Sequence, residues 1–375
     1  MPETPDIVFA ATTPWDGTPL TERHLAAGLA ADRRVLYVEP PVSVGRPGWR
    51  AAGRTRVVRD GVRVLTPLSL PWRDRPAGWR FSRPLVAGQI RRAAAEAGMH
   101  RPLLVEFALH RDLAGRLGER ATIAYLKDAG AAAGPLIGVP SSYLQACEDR
   151  ALARAALVVT PSAELAAEAR DRTAADILEL APGCDRQAPA LPDTAVAALL
   201  GPRIGLVGTL NGRIDWPLLD ALAHARPEWS LVLAGPRSRL TDPVALGVLA
   251  RPNVHELGPV AHADLPRVLA AFDAAIVPYR TADPFNVRST PLKTLEFLAA
   301  GLAVVATPIP AHRRMAPAIR LADDAPQFAV ALAQELDGDD RERRAARRRL
   351  AGANDWAQRC TVLDGALRRV WAAAA

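Results

Sequence analysis

The stretch NVRSTPLKTLEFLAAGLAVVATPIP, residues 286–310, decides the fold. Its first half reads as a helix and AVVATP (303–308) as the strand that follows it. Thr290 is a good N-cap, and Pro291 falls at the first helical position, where a missing N–H costs nothing and a fixed φ suits the first turn. Lys293 then sits in the first turn with Arg288 just before it. Positive side chains at a helix N-terminus oppose the helix dipole. An anion held by the unpaired backbone N–H groups and the two cations resolves that conflict. The alternative is a solvent-exposed Lys293–Glu296 bridge at i,i+3.

Outward from this segment, short β-rich runs alternate with helical-period segments, the signature of parallel sheets built from βαβ units. The first half offers DIVFAA (6–11), RVLYVEP (34–40), VRVLTPL (62–68), LLVEFAL (103–109), TIAYLK (122–127), LVVT (157–160) and ILELA (177–181). APGCDRQAPALPD (181–193), with its prolines and glycine, reads as a linker. After it come RIGLVG (203–208), SLVLAG (230–235), VHELG (254–258), AAIVPY (274–279), AVVATP and IRLAD (319–323). The expected fold is α/β: two Rossmann-like, doubly wound parallel-sheet domains facing across a cleft, 1–190 and 200–353. The stretch 354–373 reads as one further helix.

Such sheets bind ligands at the carboxyl ends of their strands. Gly208 ends the first strand of the second domain, and the loop TLNGR after it carries Arg213, a candidate diphosphate ligand. Gly235-Pro236-Arg237 closes the next strand. No GxGxxG fingerprint opens either domain, and no GxxxxGK[ST] or GxSxG occurs, which removes support for dinucleotide redox chemistry, P-loop hydrolysis and serine hydrolysis.

At 375 residues, 49% hydrophobic and 23% charged, the composition is globular rather than disordered or fibrous. The N-terminus MPETPDIVFA does not read as a signal peptide, and the longest apolar run is broken by Gly301 before it could span a bilayer. Cys147, Cys184 and Cys360 form no CxxC pair, so neither a disulfide framework nor a zinc site is expected. A reducing cytoplasm fits best.

The net charge of +7 is unevenly spread. Residues 46–92 hold twelve arginines against Asp60 and Asp74, interleaved with Trp49, Trp72, Trp79 and Phe81. That mixture suits an anionic membrane surface or a polyanionic acceptor, or else ordinary solvated charge. Nucleic acid is not expected, because no recognised motif accompanies the block. RERRAARRRL (341–350) reads as an exposed helix face.

The run 252–310, with its NV…LG, LP-containing helix, FDAAIVPY and PLKTLEFLAAGLAVVAT, resembles the donor-binding half of GT-B-fold glycosyltransferases of the group 1, family 4 type. The resemblance extends over about 203–310 and is topological in the N-terminal half. It implies that NDWAQR begins a last helix crossing back onto the first domain. In the family's Glu-x7-Glu motif, Glu296 matches the second glutamate, which binds the nucleotide ribose. The first would fall at Arg288, a departure from the pattern. Thr290, Pro291 and Leu292, after Ser289, match the turn whose amides meet the diphosphate. Thr209 and Asp215 stand near the places of the family's Arg-plus-Lys clamp, and Arg213 is the expected substitute.

The resemblance implies sugar transfer from a nucleotide-diphosphate donor with retention, needing neither cofactor nor metal. On the acceptor side the candidates are Asp16 and Gly17, His110, whose titration near neutral pH can polarise a hydroxyl, and Asp128. Expected partners are the nucleotide sugar, a glycan, lipid-linked or small-molecule acceptor, and an anionic membrane if the basic block docks. A cytoplasmic enzyme, peripheral to the inner membrane face in that case, is the leading expectation. A non-catalytic GT-B scaffold and a nucleotide-sugar epimerase are the alternatives.

Overall fold

The computed structural model describes residues 4–374 except 59–60, 72–75, 128–129, 131–133, 135–138 and 186–189. Asp128, Asp60, Asp74 and Trp72 therefore lie outside the described residues. The chain divides into two compact units, Met1–Ala181 with Trp356–Ala375, and Pro182–Asp355.

The first unit contains strands β1 (Ile7–Ala10), β2 (Val35–Val38), β3 (Val42–Ser43), β4 (Thr55–Val57), β5 (Arg63–Leu65), β6 (Leu68–Ser69), β7 (Leu103–Glu106), β8 (Ala121–Tyr125), β9 (Leu157–Thr160) and β10 (Asp176–Glu179). Its main sheet runs β10-β9-β8-β7-β1-β2-β5-β4, parallel throughout except for the edge strand β4. β3 and β6 pair apart from it. Parallel strands are covered on both faces, and β1, Ile-Val-Phe-Ala, is fully buried. Phe107 stacks against Phe9 and Tyr125 at ring-centroid distances of 6.0 and 4.2 Å. Helix Pro76–Glu96 lays Trp79, Val86, Ile90 and Ala93 into the core at helical spacing. The closing helix Trp356–Ala373 packs in this unit: Trp356 stacks on His24 at 4.5 Å, and Cys360 Sγ lies 2.4 Å from where a Cβ on Gly28 would stand.

The second unit has one sheet of β11 (Arg203–Val207), β12 (Ser230–Ala234), β13 (Val254–Gly258), β14 (Ala274–Val277), β15 (Ala303–Ala306) and β16 (Arg320–Leu321). Its order is β13-β12-β11-β14-β15-β16, all parallel. The chain builds outward from β11 in one direction, then restarts beside it with β14. A doubly wound sheet opens its ligand crevice at that reversal, beyond the carboxyl ends of the two strands.

The basic run 341–350 is not simply a solvated face. Helix Arg341–Gly352 is mostly exposed, but Arg347 is buried and donates to the Gly301 carbonyl at 3.0 Å and to Glu335 at 3.0 Å. Arg348 donates to the Ala300 carbonyl at 3.1 Å. The last carbonyls of helix Leu292–Ala300 lack intrahelical partners, and two guanidinium groups satisfy them while complementing the dipole.

Glu106 ends β7 fully buried. One of its oxygens accepts the Leu113 amide at 2.9 Å, and the other has no hydrogen-bond partner among the described residues. Burial pushes its carboxyl from 4.5 up to about 8. The native state thus binds this proton more tightly than the unfolded chain, so the contribution to stability is full below about 4.5 and is lost as pH rises through about 8. Urea unfolding between about pH 5 and about pH 9 is expected to show stability falling, and Glu106→Gln, which cannot ionise, to flatten that slope. Parallel slopes in variant and parent would contradict this.

Candidate functional site

Two strand ends carry glycine for a steric reason. Gly208 follows β11 at φ +122° and Gly235 follows β12 at φ +147°. A Cβ on Gly235 would lie 2.1 Å from the Gly208 carbonyl oxygen, and one on Gly208 would lie 2.6 Å from Lys293 Nζ. Backbone and ammonium approach each other here because no side chain intervenes.

Arg213 enters from the loop between β11 and helix Trp216–Ala225, whose N-cap is Asp215, accepting from the Leu218 amide at 3.1 Å. The Arg213 guanidinium donates to Asn286 Oδ1 at 2.8 Å and Ser289 Oγ at 3.2 Å, and lies over the rings of Phe285 and Tyr279 at 4.1 and 4.7 Å. Asn286 is fully buried and donates in turn to the carbonyls of Arg213 and Arg280, each at 3.0 Å. It thereby fixes both ends of Arg213. Lys293 Nζ stands 5.1 Å from the same Tyr279 ring centre.

The partners of both cations are neutral. Among the described residues neither Arg213 nor Lys293 pairs with a carboxylate, and no ion pair joins Lys293 to Glu296. The solvent-bridge reading of Lys293 is overturned. Burial pushes the Tyr279 phenol up, yet the Lys293 ammonium and the Arg213 guanidinium outweigh it and hold the phenol below its ordinary value of 10. Burial pushes His312, bonded to the Thr307 carbonyl at 2.7 Å, down to about 4, with Lys293 pushing the same way. His312 is therefore neutral at pH 7 and does not add to the charge. Burial also raises the Glu296 carboxyl, opposed by His262 and Lys293. A half-buried point of excess positive charge at a sheet's reversal suits a multiply charged anion.

The helix start differs from the sequence reading in one detail. Pro291, not Thr290, occupies the N-cap, with ψ 110°, and the helix runs Leu292–Ala300. Pro291 itself keeps an extended ψ, so the first residue with helical backbone is Leu292. Proline offers no side-chain acceptor, so the N-cap residue of this helix makes no side-chain bond to the first turn. Gly208, Arg213, Ser289 and Lys293 come together, beside the turn of Thr290, Pro291 and Leu292. Glu296 lies one turn into the helix. Arg288 ends the short helix Pro284–Arg288 and donates to its Pro284 carbonyl at 3.0 Å.

In the first unit the sheet reverses between β1 and β7. Asp16 follows β1, is exposed, and pairs with Arg56 at 2.7 Å. Gly17 closes a turn onto the Pro14 carbonyl at 3.1 Å. His110 is exposed in the 3-10 turn Leu109–Arg111 after β7. The fully buried Glu22, not singled out in the sequence, bonds Thr12 at 2.6 Å and Lys127 at 3.1 Å at the same sheet end.

Tyr279 and Asn286 were also missed, because nothing local marks them. Composition does mark Lys293. Of 47 basic residues only Lys127 and Lys293 are lysines, and each stands at the carboxyl end of a sheet. A compact ammonium fits against Gly208 where a planar guanidinium would not.

Residues 201–337 match the family model described as glycosyl transferases group 1, which bears out the resemblance read from the sequence. The chain is 30% identical over 158 residues to the Bacillus subtilis (strain 168) protein named as a teichuronic acid biosynthesis glycosyltransferase, TuaH. That match covers 41% of this chain and 40% of TuaH, so it spans about two fifths of that relative's length. Among solved structures, sucrose-phosphate synthase from Thermosynechococcus elongatus superposes with a TM-score of 0.78 at 16% identity, over 98% of this chain and 100% of that one. Anabaena Alr3699/HepE in complex with UDP-glucose gives 0.69 at 14%, over 97% and 99%. The fold is that of the GT-B glycosyltransferases, with two Rossmann-like units.

Gly208→Ala is expected to displace Lys293 and strain the backbone, lowering stability by about 1–3 kcal/mol and weakening pyrophosphate binding. Gly212→Ala, whose Cβ would meet nothing within 4 Å, is the control and should do neither. Calorimetric titration of both variants with pyrophosphate, beside their thermal unfolding, checks it. Equal behaviour of the two would contradict the site.

Proposed function

We propose that this chain is a glycosyltransferase that moves a sugar from a nucleotide-diphosphate donor to an acceptor in the cytoplasm. The observation that carries the reading is the pair Arg213 and Lys293. They are half-buried, with no carboxylate partner among the described residues, at the reversal of the second sheet, inside the segment that matches group 1 glycosyl transferases. In this reading the two cations and the amides at Leu292 and Lys293 take the donor diphosphate. They offset the charge that grows on it as the glycosidic bond breaks. Glu296 accepts from the ribose hydroxyls. Transfer proceeds with retention, the diphosphate oxygens receiving the acceptor's proton, and the protein's own cations serve where a metal would otherwise neutralise the leaving group.

His110 and Asp16 are the acceptor-side candidates, and the acceptor class stays open among glycan, lipid-linked and small-molecule hydroxyls. The cytoplasm suits three buried cysteines that stand outside any disulfide. No helix among the described residues is long and apolar enough to cross a membrane. Arg288 in place of the family's first glutamate favours one second reading, a GT-B scaffold that binds a nucleotide without transferring from it.

A thermal-shift screen against UDP-, GDP-, ADP- and dTDP-sugars is expected to find at least one that raises the melting temperature. Against that donor, Lys293→Gln and Arg213→Gln should each weaken binding by roughly 10- to 150-fold, the loss of one charged hydrogen bond of about 1.5–3 kcal/mol. Glu296→Ala should weaken it comparably with little change in unfolding. Donor binding without transfer or hydrolysis would favour the scaffold. No binding to any of the four would contradict both readings.

A further inference from the structure

Apart from Arg63, the described arginines of residues 46–92 sort into two groups. Arg56 pairs with Glu39 and Asp16, Arg83 with Asp112 and Arg92 with Glu96, while Arg91 donates to the Arg116 carbonyl. These four are bonded to other groups of the same unit. Arg46, Arg50, Arg54 and Arg80 are exposed, and among the described residues none has a carboxylate partner.

The same part of the chain exposes large apolar side chains. Phe81 is 70% exposed, Leu85 42%, and Val44 and Leu70 41% each. Their positions are contiguous. Val44 donates its amide to the Ser69 carbonyl at 3.0 Å, and Leu70 donates to Ser82 Oγ at 3.2 Å. Gln89 bonds both backbone groups of Leu68 at 2.8 Å, and Gly53 donates to Thr66 at 2.8 Å. The ends of β3 and β6, the 45–54 segment and helix Pro76–Glu96 thus form one surface. Phe81 and Leu85 share a side of that helix at i,i+4, next to the buried stripe of Trp79, Ser82, Val86 and Ile90.

Trp79 is not part of this face. Its indole is buried and donates to the Arg111 carbonyl at 2.9 Å, because the helix phase turns it into the core. The exposed face among these arginines is thus built from other side chains than the Trp79 indole.

We propose that this face, with Phe81, Leu85, Leu70 and Val44 set among Arg46, Arg50, Arg54 and Arg80, docks the first unit on an anionic lipid bilayer. Charge complementarity selects the partner's sign. The apolar side chains select lipid over a soluble polyanion, which would bind the arginines and leave Phe81 and Leu85 in water. The inference stands apart from the donor site, since docking needs no catalysis.

The test is co-sedimentation of the full chain with vesicles of phosphatidylcholine alone and of equal parts phosphatidylcholine and phosphatidylglycerol, at low and physiological salt. Binding is expected to the anionic vesicles only, weakening with salt. Replacing Arg46, Arg50 and Arg80 with glutamine should reduce affinity roughly a hundredfold, from about one unit of basic-residue attraction each. Phe81→Ser with Leu85→Ser should instead abolish the binding that survives physiological salt. Nucleotide-sugar binding by both variants should equal the parent's, which separates this result from the fate of the transferase reading. No sedimentation with anionic vesicles at low salt, equal sedimentation with neutral ones, or binding to heparin alone would overturn the proposal.

Discussion

One helix violates the dipole rule at one end and obeys it at the other, and the second unit is organised around that difference. At the carboxyl end of Leu292–Ala300, Arg347 and Arg348 take the carbonyls of Gly301 and Ala300, as charge complementarity requires. At the amino end stands Lys293, with Arg213 beside it and, among the described residues, no ion pair to either. Two cations confined over one buried tyrosine at a helix N-terminus repel each other and the dipole. A folded chain holds such an arrangement where an anion is meant to complete it.

The topology places this conflict where a ligand can reach it. β11 and β14 are hydrogen-bonded neighbours whose connections leave in opposite directions, so nothing crosses above their carboxyl ends. Gly208 follows β11 directly, and Tyr279 follows β14 after Pro278. The glycines at 208 and 235 bring the backbone within reach, Asn286 sets the guanidinium, and the N-cap residue Pro291 makes no side-chain bond to the first turn. Each device acts on the same few ångströms of space, which is consistency across levels rather than a single strong contact.

Much of this was legible. The parallel strands of both main sheets follow from β-branched runs between helical segments, and Gly208, Arg213 and Lys293 from their places at strand and helix ends. β3, β4 and β6 were not read, because two or three residues amid arginines give no period. Asn286 and Tyr279 act through contacts of long sequence separation, which no local pattern carries. Trp79 misled because neighbouring exposed residues share its composition, and only the helix phase distinguishes them. Arg347 was read as solvated since a charged run does not reveal which member meets another helix's end.

The central claim is that Arg213 and Lys293 make an uncompensated positive site, and Tyr279 reports on it. The chain has four tyrosines. Burial pushes the phenols of Tyr37 and Tyr125 far above the ordinary range, and that of Tyr143 up to about 12, while Tyr279 is held below 10. A spectrophotometric titration should therefore show one tyrosine ionising first and alone, absent in Tyr279→Phe and moved to higher pH by saturating pyrophosphate. If no tyrosine ionises below the ordinary value, or pyrophosphate leaves the first step where it was, the account of the site is wrong.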